Sequence, residues 1–318
     1  MTTLTVVGSL NVDLTLLLDH LPHRGETAVA TSPGMVSCGG KGGNQAAAAA
    51  ALGAQVTMVD KVGDDQQGTK LLADLAARGV DASGVIVAAG VRSGSATIGV
   101  DAHGENLILV DPGANGLLTP NEVEAAGLER ADAVIVQLET PLSTVAAAMG
   151  AALGAIVVLN PAPAPSTTLP TAVIGRAGVL VPNLAELVRL AGQGRAAQLP
   201  SPAEMAEVAR LARSLAGNAD VVVTMGGDGA LVVRRSARTS NHIPAPAVAT
   251  VDTTGAGDCF CGTLAACLAE GLDLTDGARL AVAAAALSTT AYGARGQLPS
   301  RAAAEHLAET VPVQNVSG

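Results

Sequence analysis

Short apolar runs, each the length of a buried strand, alternate with longer Ala- and Leu-rich stretches along most of this chain. The runs fall at residues 4–7, 56–59, 133–138, 156–159, 179–181 and 221–224. Between them lie stretches of helical character, such as 44–52, ended by Gly53, and 66–78, ended by Gly79. Strand, helix and strand in regular succession is the pattern of parallel βαβ units. The expected fold is therefore α/β, a doubly wound, mostly parallel sheet flanked by helices. Two regions break the rhythm, 12–37 and 95–110, where polar and apolar residues partly alternate and Asp101-Ala-His-Gly104 reads as a hairpin turn. They are expected to form a small β-sheet lid over the carboxyl ends of the body strands. The expected division is a body of residues 1–10, 41–92 and 112–318 with a lid of 11–40 and 93–111.

Composition narrows what such a fold can bind. Hydrophobic residues make up 49% of the 318 and charged ones 14%, which excludes a mainly disordered protein. The net charge of −10 argues against nucleic acid or an anionic membrane as partner. Phe260 and Tyr292 are the only aromatic residues, so recognition of a ligand must be polar and not by stacking. Cys38, Cys259, Cys261 and Cys267 lack the spacing of a zinc site or a disulfide framework and read as reduced core thiols. Residues 1–8 begin like a buried strand and not like a signal peptide, and no apolar run reaches spanning length, so a cytoplasmic location is expected. The proline-rich tract 160–165 is read as a strand-end loop, and 192–194 as a surface loop.

The segment Val251-Asp-Thr-Thr-Gly-Ala-Gly-Asp258 opens a long apolar helix and places an acid in its first turn. Amides at a helix start attract anions, and Gly255 and Gly257 let phosphate oxygens approach Ala256 without obstruction. Asp258 beside such an anion hole is placed to take the proton of an attacking hydroxyl. An ordinary helix start shows the same local pattern, its acid favoured by the dipole. A second glycine cluster tips the balance: Cys38-Gly-Gly-Lys-Gly-Gly-Asn-Gln45 also opens a helix and carries Lys41 and Asn44 as donors. It is not a Walker A loop, because no Ser or Thr follows Lys41. Asn11 and Asp13 lie just past the first strand, where polar side chains can grip a polyol, although a plain polar turn reads the same way.

In order along the chain, Gly8-Ser-Leu-Asn-Val-Asp13, Gly39-Gly-Lys-Gly-Gly-Asn-Gln45, Gly104-Glu-Asn106, Pro112-Gly-Ala-Asn115, Gln137-Leu-Glu139, Asn160-Pro-Ala-Pro163, Pro182-Asn-Leu-Ala-Glu186, Thr224-Met-Gly-Gly-Asp-Gly229 and the 252–258 segment resemble the ribokinase-like family of carbohydrate kinases. The resemblance implies ATP-dependent phosphorylation of the primary hydroxyl of a furanose-type sugar, D-ribose first, to give ribose 5-phosphate. Fructose, a nucleoside or a 2-keto-3-deoxy acid are the rival acceptors, and a non-catalytic sugar- or nucleotide-binding regulator is the rival from another class. Asn11, Asp13, Gly39, Gly40, Lys41, Asn44 and Glu139 would hold the sugar, with Asp258 as base and Gly255, Ala256 and Gly257 as anion hole. Asn183, Glu186, Thr224, Gly226, Gly227, Gly229 and Gly257 would serve ATP, with Glu186 organising magnesium through water. A potassium ion would sit at Asp252, Thr254, Ser288, Ala291, Gly293 and Gln297. Two departures stand out: Gly293-Ala-Arg-Gly-Gln297 where many members have a shorter Gly-Ala-Gln-Pro, and Gly43 where Ala is commoner. Unpaired lid edges, with the resemblance, imply a homodimer through the lids. His20, His23, His103, His242 and His306 are read as surface residues, Cys259 and Cys261 as packing, and Asp64, Asp65, Glu122 and Glu124 as solvated acids at helix starts.

Overall fold

The computed structural model describes residues 2–165, 168–192 and 204–316. Its large sheet has ten strands in the order β14 (Gln314–Val316), β13 (Ser240–Ile243), β12 (Ala230–Val233), β11 (Asp220–Thr224), β10 (Val179–Leu180), β9 (Ile156–Leu159), β8 (Ala133–Val136), β1 (Thr3–Val7), β4 (Gln55–Gly63) and β5 (Asp81–Ala88). From β11 to β5 every pairing is parallel, and the β12 to β14 edge is antiparallel. The helices are α1 (Lys41–Ala51), α2 (Gln66–Ala77), α3 (Pro120–Glu124), α4 (Leu142–Ala151), α5 (Thr171–Ile174), α6 (Leu184–Leu190), α7 (Met205–Ala216), α8 (Ala256–Ala269), α9 (Leu274–Ser288) and α10 (Arg301–Ala308).

Alternate residues of each central strand bury on opposite faces, as the pleat requires. Val134 and Val136 of β8 pack with Val145 and Met149 of α4 on one side. Ala133 and Ile135 pack with Leu264 of α8 and Ala281 of α9 on the other. Both faces are therefore covered, and the expected doubly wound architecture is present. All six anticipated strands appear, β4 longer than its apolar stretch suggested. The strands β5, β12, β13 and β14 were not anticipated.

A second sheet, ordered β3 (Met35–Gly39), β2 (Asn11–Leu17), β6 (Gly94–Val100) and β7 (Asn106–Asp111), is the small β layer expected from the two interruptions. The chain turns from β6 to β7 at Asp101, whose carbonyl accepts from the Gly104 N–H and whose Oδ1 accepts from the N–H groups of His103 and Glu105. Of the expected loop at 192–194, residues 193 and 194 lie outside the described residues. No helix among the described residues is long and apolar enough to cross a membrane.

Several local expectations are corrected. Helix α1 begins at Lys41 and not at residue 44, so part of the glycine cluster lies inside the helix; Gly40, at φ +82°, makes the turn that feeds it. Asp65 is more than a solvated acid: it caps α2 through Gly68 and accepts from the Ser93 N–H and hydroxyl, tying the helix to the start of β6. Glu122 completes a capping box with Thr119 and pairs with Lys61 at 2.8 Å. His242 lies within β13, its Nε2 2.8 Å from the Asp228 carbonyl.

Helices α1 and α8 cross closely on one face of the sheet, and Gly262 permits it. A Cβ there would lie 2.3 Å from the Gln45 carbonyl oxygen and 3.0 Å from the Ala48 Cβ. Gly262→Ala, which in an isolated helix would stabilise by about 1 kcal/mol, should instead destabilise the protein by about 1–3 kcal/mol. A thermal melt reads the sign directly: a melting temperature at or above that of the wild type would contradict this packing.

Candidate active site

The polar residues of interest gather where parallel strands end. Ser9 and Asn11 follow β1, Gln137 and Glu139 follow β8, Asn160 follows β9, Asn183 follows β10, and Thr224 closes β11. The carboxyl edge of such a sheet is where backbone crossovers leave a crevice.

Helix α8 opens on Gly255, held at φ +75°, and puts Asp258 in its first turn, 8% exposed. A carboxylate so far from water needs donors, and α1 supplies two. Asn44 Nδ2 donates to Asp258 Oδ2 at 2.9 Å, and Gln45 Nε2 donates to Oδ1 at 3.0 Å. The orientation of the second amide follows from a chain of contacts. The Val181 carbonyl can only accept, so it takes Asn160 Nδ2 at 2.8 Å and leaves Asn160 Oδ1 to receive Gln45 Nε2 at 3.1 Å. Gln45 Oε1 then accepts from Gln137 Nε2 at 2.6 Å. The N–H groups of the first helical turn lack intrahelical partners as a class, which suits an anion. Ala256 turns its N–H back to the Thr253 carbonyl at 3.2 Å, while a side chain at Gly257 would meet only open space.

Around this carboxylate stand the expected sugar-site residues. The Asn-Val-Asp spacing puts Asn11 and Asp13 on one face of β2, registered against Gly39 and Ser37 of β3. Asn11 Oδ1 accepts from Asn115 Nδ2 at 2.7 Å, and Asn115 Oδ1 accepts from the Leu10 N–H at 3.1 Å. Glu139 Oε2 accepts from the Ser9 hydroxyl and, at 3.2 Å, from the Lys41 N–H at the start of α1. Asp13 is 8% exposed and its Oδ1 has no hydrogen-bond partner. Burial pushes its pKa up to about 6, with Glu139 and Asp258 adding to the rise and Arg295 and Lys41 opposing it. Burial likewise works against the Lys41 ammonium, but Asp258, Glu139 and Glu186 together outweigh it and hold the proton more firmly than usual.

The residues expected to serve a nucleotide occupy the neighbouring strand ends. Asn183 Oδ1 accepts from the Glu186 N–H at 2.8 Å, and Glu186 Oε2 accepts from the Asn183 N–H at 2.9 Å, a capping box at α6. Burial raises the pKa of Glu186, against the pull of the Asn183 N–H and Lys41. Thr224 bridges to Asn183, and Gly226, Gly227 and Gly229 form the turn between β11 and β12.

At Asp252 two loops meet. Its Oδ1 accepts from the Thr254 N–H and hydroxyl, and its Oδ2 from the Gly293 N–H at 2.8 Å. These bonds prevail over burial and hold its pKa below the ordinary value. The Val251 and Asp252 N–H groups both reach the Thr289 carbonyl just past α9, whose last residue is the buried Ser288. Ala291 and Gly293 follow in the same turn, whereas Gln297 is exposed beyond it. Arg295, between them, turns inward and is buried. Among the described residues no group of three or more His, Cys, Asp or Glu could cage a metal. The donors here are one carboxylate and the carbonyl end of a helix, a set that suits a monovalent cation better than zinc. The cysteines are free thiols, and burial pushes that of Cys259 up to about 12.

Gln45, Asn115, Gln137 and Asn160 lay inside the motif segments, but sequence reasoning gave them no role. Arg295 was seen only as part of a longer loop. Apart from the Val181 carbonyl that Asn160 reaches, their side-chain partners lie 92 or more residues away, so no local pattern could mark them.

Comparison with known proteins agrees with this arrangement. The pfkB family carbohydrate kinase model matches residues 1–301. The chain is 37% identical over 304 residues to the deoxyribokinase of Salmonella typhi, covering 93% of this chain and 95% of that one. It is 40% identical over 314 residues to the ribokinase of Bacillus subtilis (strain 168), covering 96% and 99%. The structure of Arabidopsis thaliana ribokinase complexed with ribose and ATP superimposes with a TM-score of 0.82 at 29% identity, covering 97% of this chain and 99% of that one. With the family model spanning nearly the whole chain, and relatives of this identity matching end to end, the protein belongs to the pfkB family of carbohydrate kinases.

Proposed function

We propose that the protein transfers the γ-phosphoryl group of ATP to the primary hydroxyl of D-ribose, giving D-ribose 5-phosphate. The observation that carries this reading is Asp258, a carboxylate fixed by two amides at the start of a glycine-led helix, facing Lys41 and the sugar-site residues of β2. It is supported by likeness to a ribokinase over 96% of the chain. In the transfer, Asp258 takes the hydroxyl proton as that oxygen attacks phosphorus, the bond to the departing ADP oxygen breaks, and the amides around Gly255, Ala256 and Gly257 receive the developing charge. Asn11, Asp13, Gly39, Gly40, Lys41, Asn44 and Glu139 hold the sugar, while Asn183, Glu186, Thr224, Gly226, Gly227 and Gly229 flank the nucleotide. Magnesium near Glu186 and potassium at the Asp252 turn with Thr254, Ser288, Ala291 and Gly293, but without the outlying Gln297, would neutralise phosphate charge when bound. The similarity to a deoxyribokinase favours 2-deoxyribose as the second acceptor to examine.

The lid sheet carries a further proposal, a homodimer. Its edge strand β7 exposes Leu107, Ile108, Leu109 and Val110, and its opposite edge exposes Met35 and Val36. Pairing two lids would cover these edges. Sedimentation of the wild type should give a dimer and Leu109→Lys a monomer; a monomeric wild type at micromolar concentration would end this proposal.

ADP release over a panel of ribose, 2-deoxyribose, fructose and nucleosides, in potassium and in sodium, decides the acceptor and the cation. Ribose should give the highest kcat/KM, with lower turnover in sodium. Asp258→Asn should keep the fold and lose about 10²–10⁴-fold in kcat; near-normal turnover would remove it as the base.

Asp13 sets an acid limit. With its pKa raised to about 6, the carboxylate is ionised at neutral pH and protonated below that value, where it is a poorer acceptor for sugar hydroxyls. Sugar kcat/KM should fall about tenfold per pH unit below about pH 6, where an aspartate at its ordinary value of 3.8 would leave it flat to about pH 4. Asp13→Asn should abolish this limb and raise sugar KM about tenfold to a hundredfold.

A further inference from the structure

Arg295 is 6% exposed, and among the described residues the hydrogen bonds of its guanidinium go to none of the residues expected to serve the nucleotide. Each nitrogen of its guanidinium reaches a different element. Nε donates to Asn44 Oδ1 of α1 at 2.8 Å, Nη1 pairs with Asp74 of α2, and Nη2 donates to the Gly39 carbonyl at the end of β3 at 2.7 Å. Neutralising Asp74 does not explain this placement, because Arg78 already pairs with both Asp74 oxygens at 3.0 and 3.1 Å. The remaining two contacts go to residues of the sugar site.

Asn44 stands between two groups of fixed character. Arginine only donates and an ionised carboxylate only accepts, so Arg295 must face Asn44 Oδ1 and Asp258 must face Nδ2. Without the guanidinium only the carboxylate is left to hold the amide in that sense, and nothing any longer fixes its oxygen on the far side. The charge of Arg295 also opposes protonation of Asp13. Room for the guanidinium depends on the preceding residue of α1. A Cβ on Gly43 would lie 2.1 Å from Arg295 Nη2; its other close neighbour, Leu10 Cδ2 at 2.8 Å, is the tip of a side chain that can rotate.

We propose that Arg295 is a positioning residue of the acceptor-sugar site, orienting Asn44 toward Asp258 and anchoring the Gly39 end of the lid, and that Gly43 is the partner position admitting its guanidinium. This rests on the sugar-kinase reading above but not on which sugar is phosphorylated.

The test compares Arg295→Met, Gly43→Ala and the double variant with the wild type, on whichever acceptor the wild type phosphorylates best. Failure of ribose in the wild type would therefore sink the ribose reading alone. Arg295→Met should lower kcat/KM for the sugar about tenfold to a hundredfold and leave the KM for ATP within about twofold. Gly43→Ala, with arginine still in the chain, should show the same sugar-selective loss. The double variant should be no worse than Arg295→Met, because the added methyl then has nothing to displace. Sugar kcat/KM within about twofold of wild type in Arg295→Met overturns the proposal. So does an equal loss of ATP and sugar affinity, or a double variant that shows the product of the two single losses. Should Arg295→Met fail to fold, Gly43→Ala decides alone, and a normal sugar kcat/KM in it overturns the proposal.

Discussion

A carboxylate withdrawn from water needs donors built to meet it, and the carboxyl edge of this sheet is arranged around that requirement at Asp258. Its two donors come from consecutive residues of α1, Asn44 and Gln45, so the pitch of that helix against α8 sets both bonds at once. The close crossing at Gly262 fixes the distance between the helices. The amide chain through Asn160 to the Val181 carbonyl then settles which atom of Gln45 faces the acid. A backbone group just past β10 thus reaches the base through two side chains, neither of which need touch a substrate.

The central strands could be read from sequence because they are apolar on both faces, and the crevice could be placed because parallel strands end together. The antiparallel edge could not. β14 is the polar tripeptide Gln-Asn-Val, and β13 is Ser-Asn-His-Ile, neither of which looks like a strand until β12 offers hydrogen bonds to β13 and β13 in turn to β14. In the site, glycines and acids near helix starts were visible because backbone freedom and charge are local properties. The amides and Arg295 were not, since what an amide does depends on what faces it, and here the facing residue comes from far along the chain. Arg295 of the 293–297 segment and the glycine at 43, separate features in sequence, occupy one space in the fold.

The electrostatics of the site are unusual for a protein expected to hold triphosphate. Asp13, Glu139, Glu186 and Asp258 all act on one another or on Lys41, and among the described residues Lys41 and the buried Arg295 are the cations set against them. With no aromatic platform and few positive side chains, the protein's own attraction for phosphate rests on Lys41 and on main-chain N–H groups at the start of α8. Such a site discriminates by geometry more than by net charge.

The contact between α1 and α8 also has a temporal side. Asp258 lies more than 200 residues beyond the amides that hold it, and the strands β4 to β13 lie between them in sequence and are synthesised first. On a ribosome, Lys41, Asn44 and Gln45 emerge long before any of the partners that neutralise or orient them, and they must wait, solvated, while the body assembles. The site is consequently among the last parts of the molecule to become native, and phosphoryl transfer can begin only when folding of the body is essentially finished.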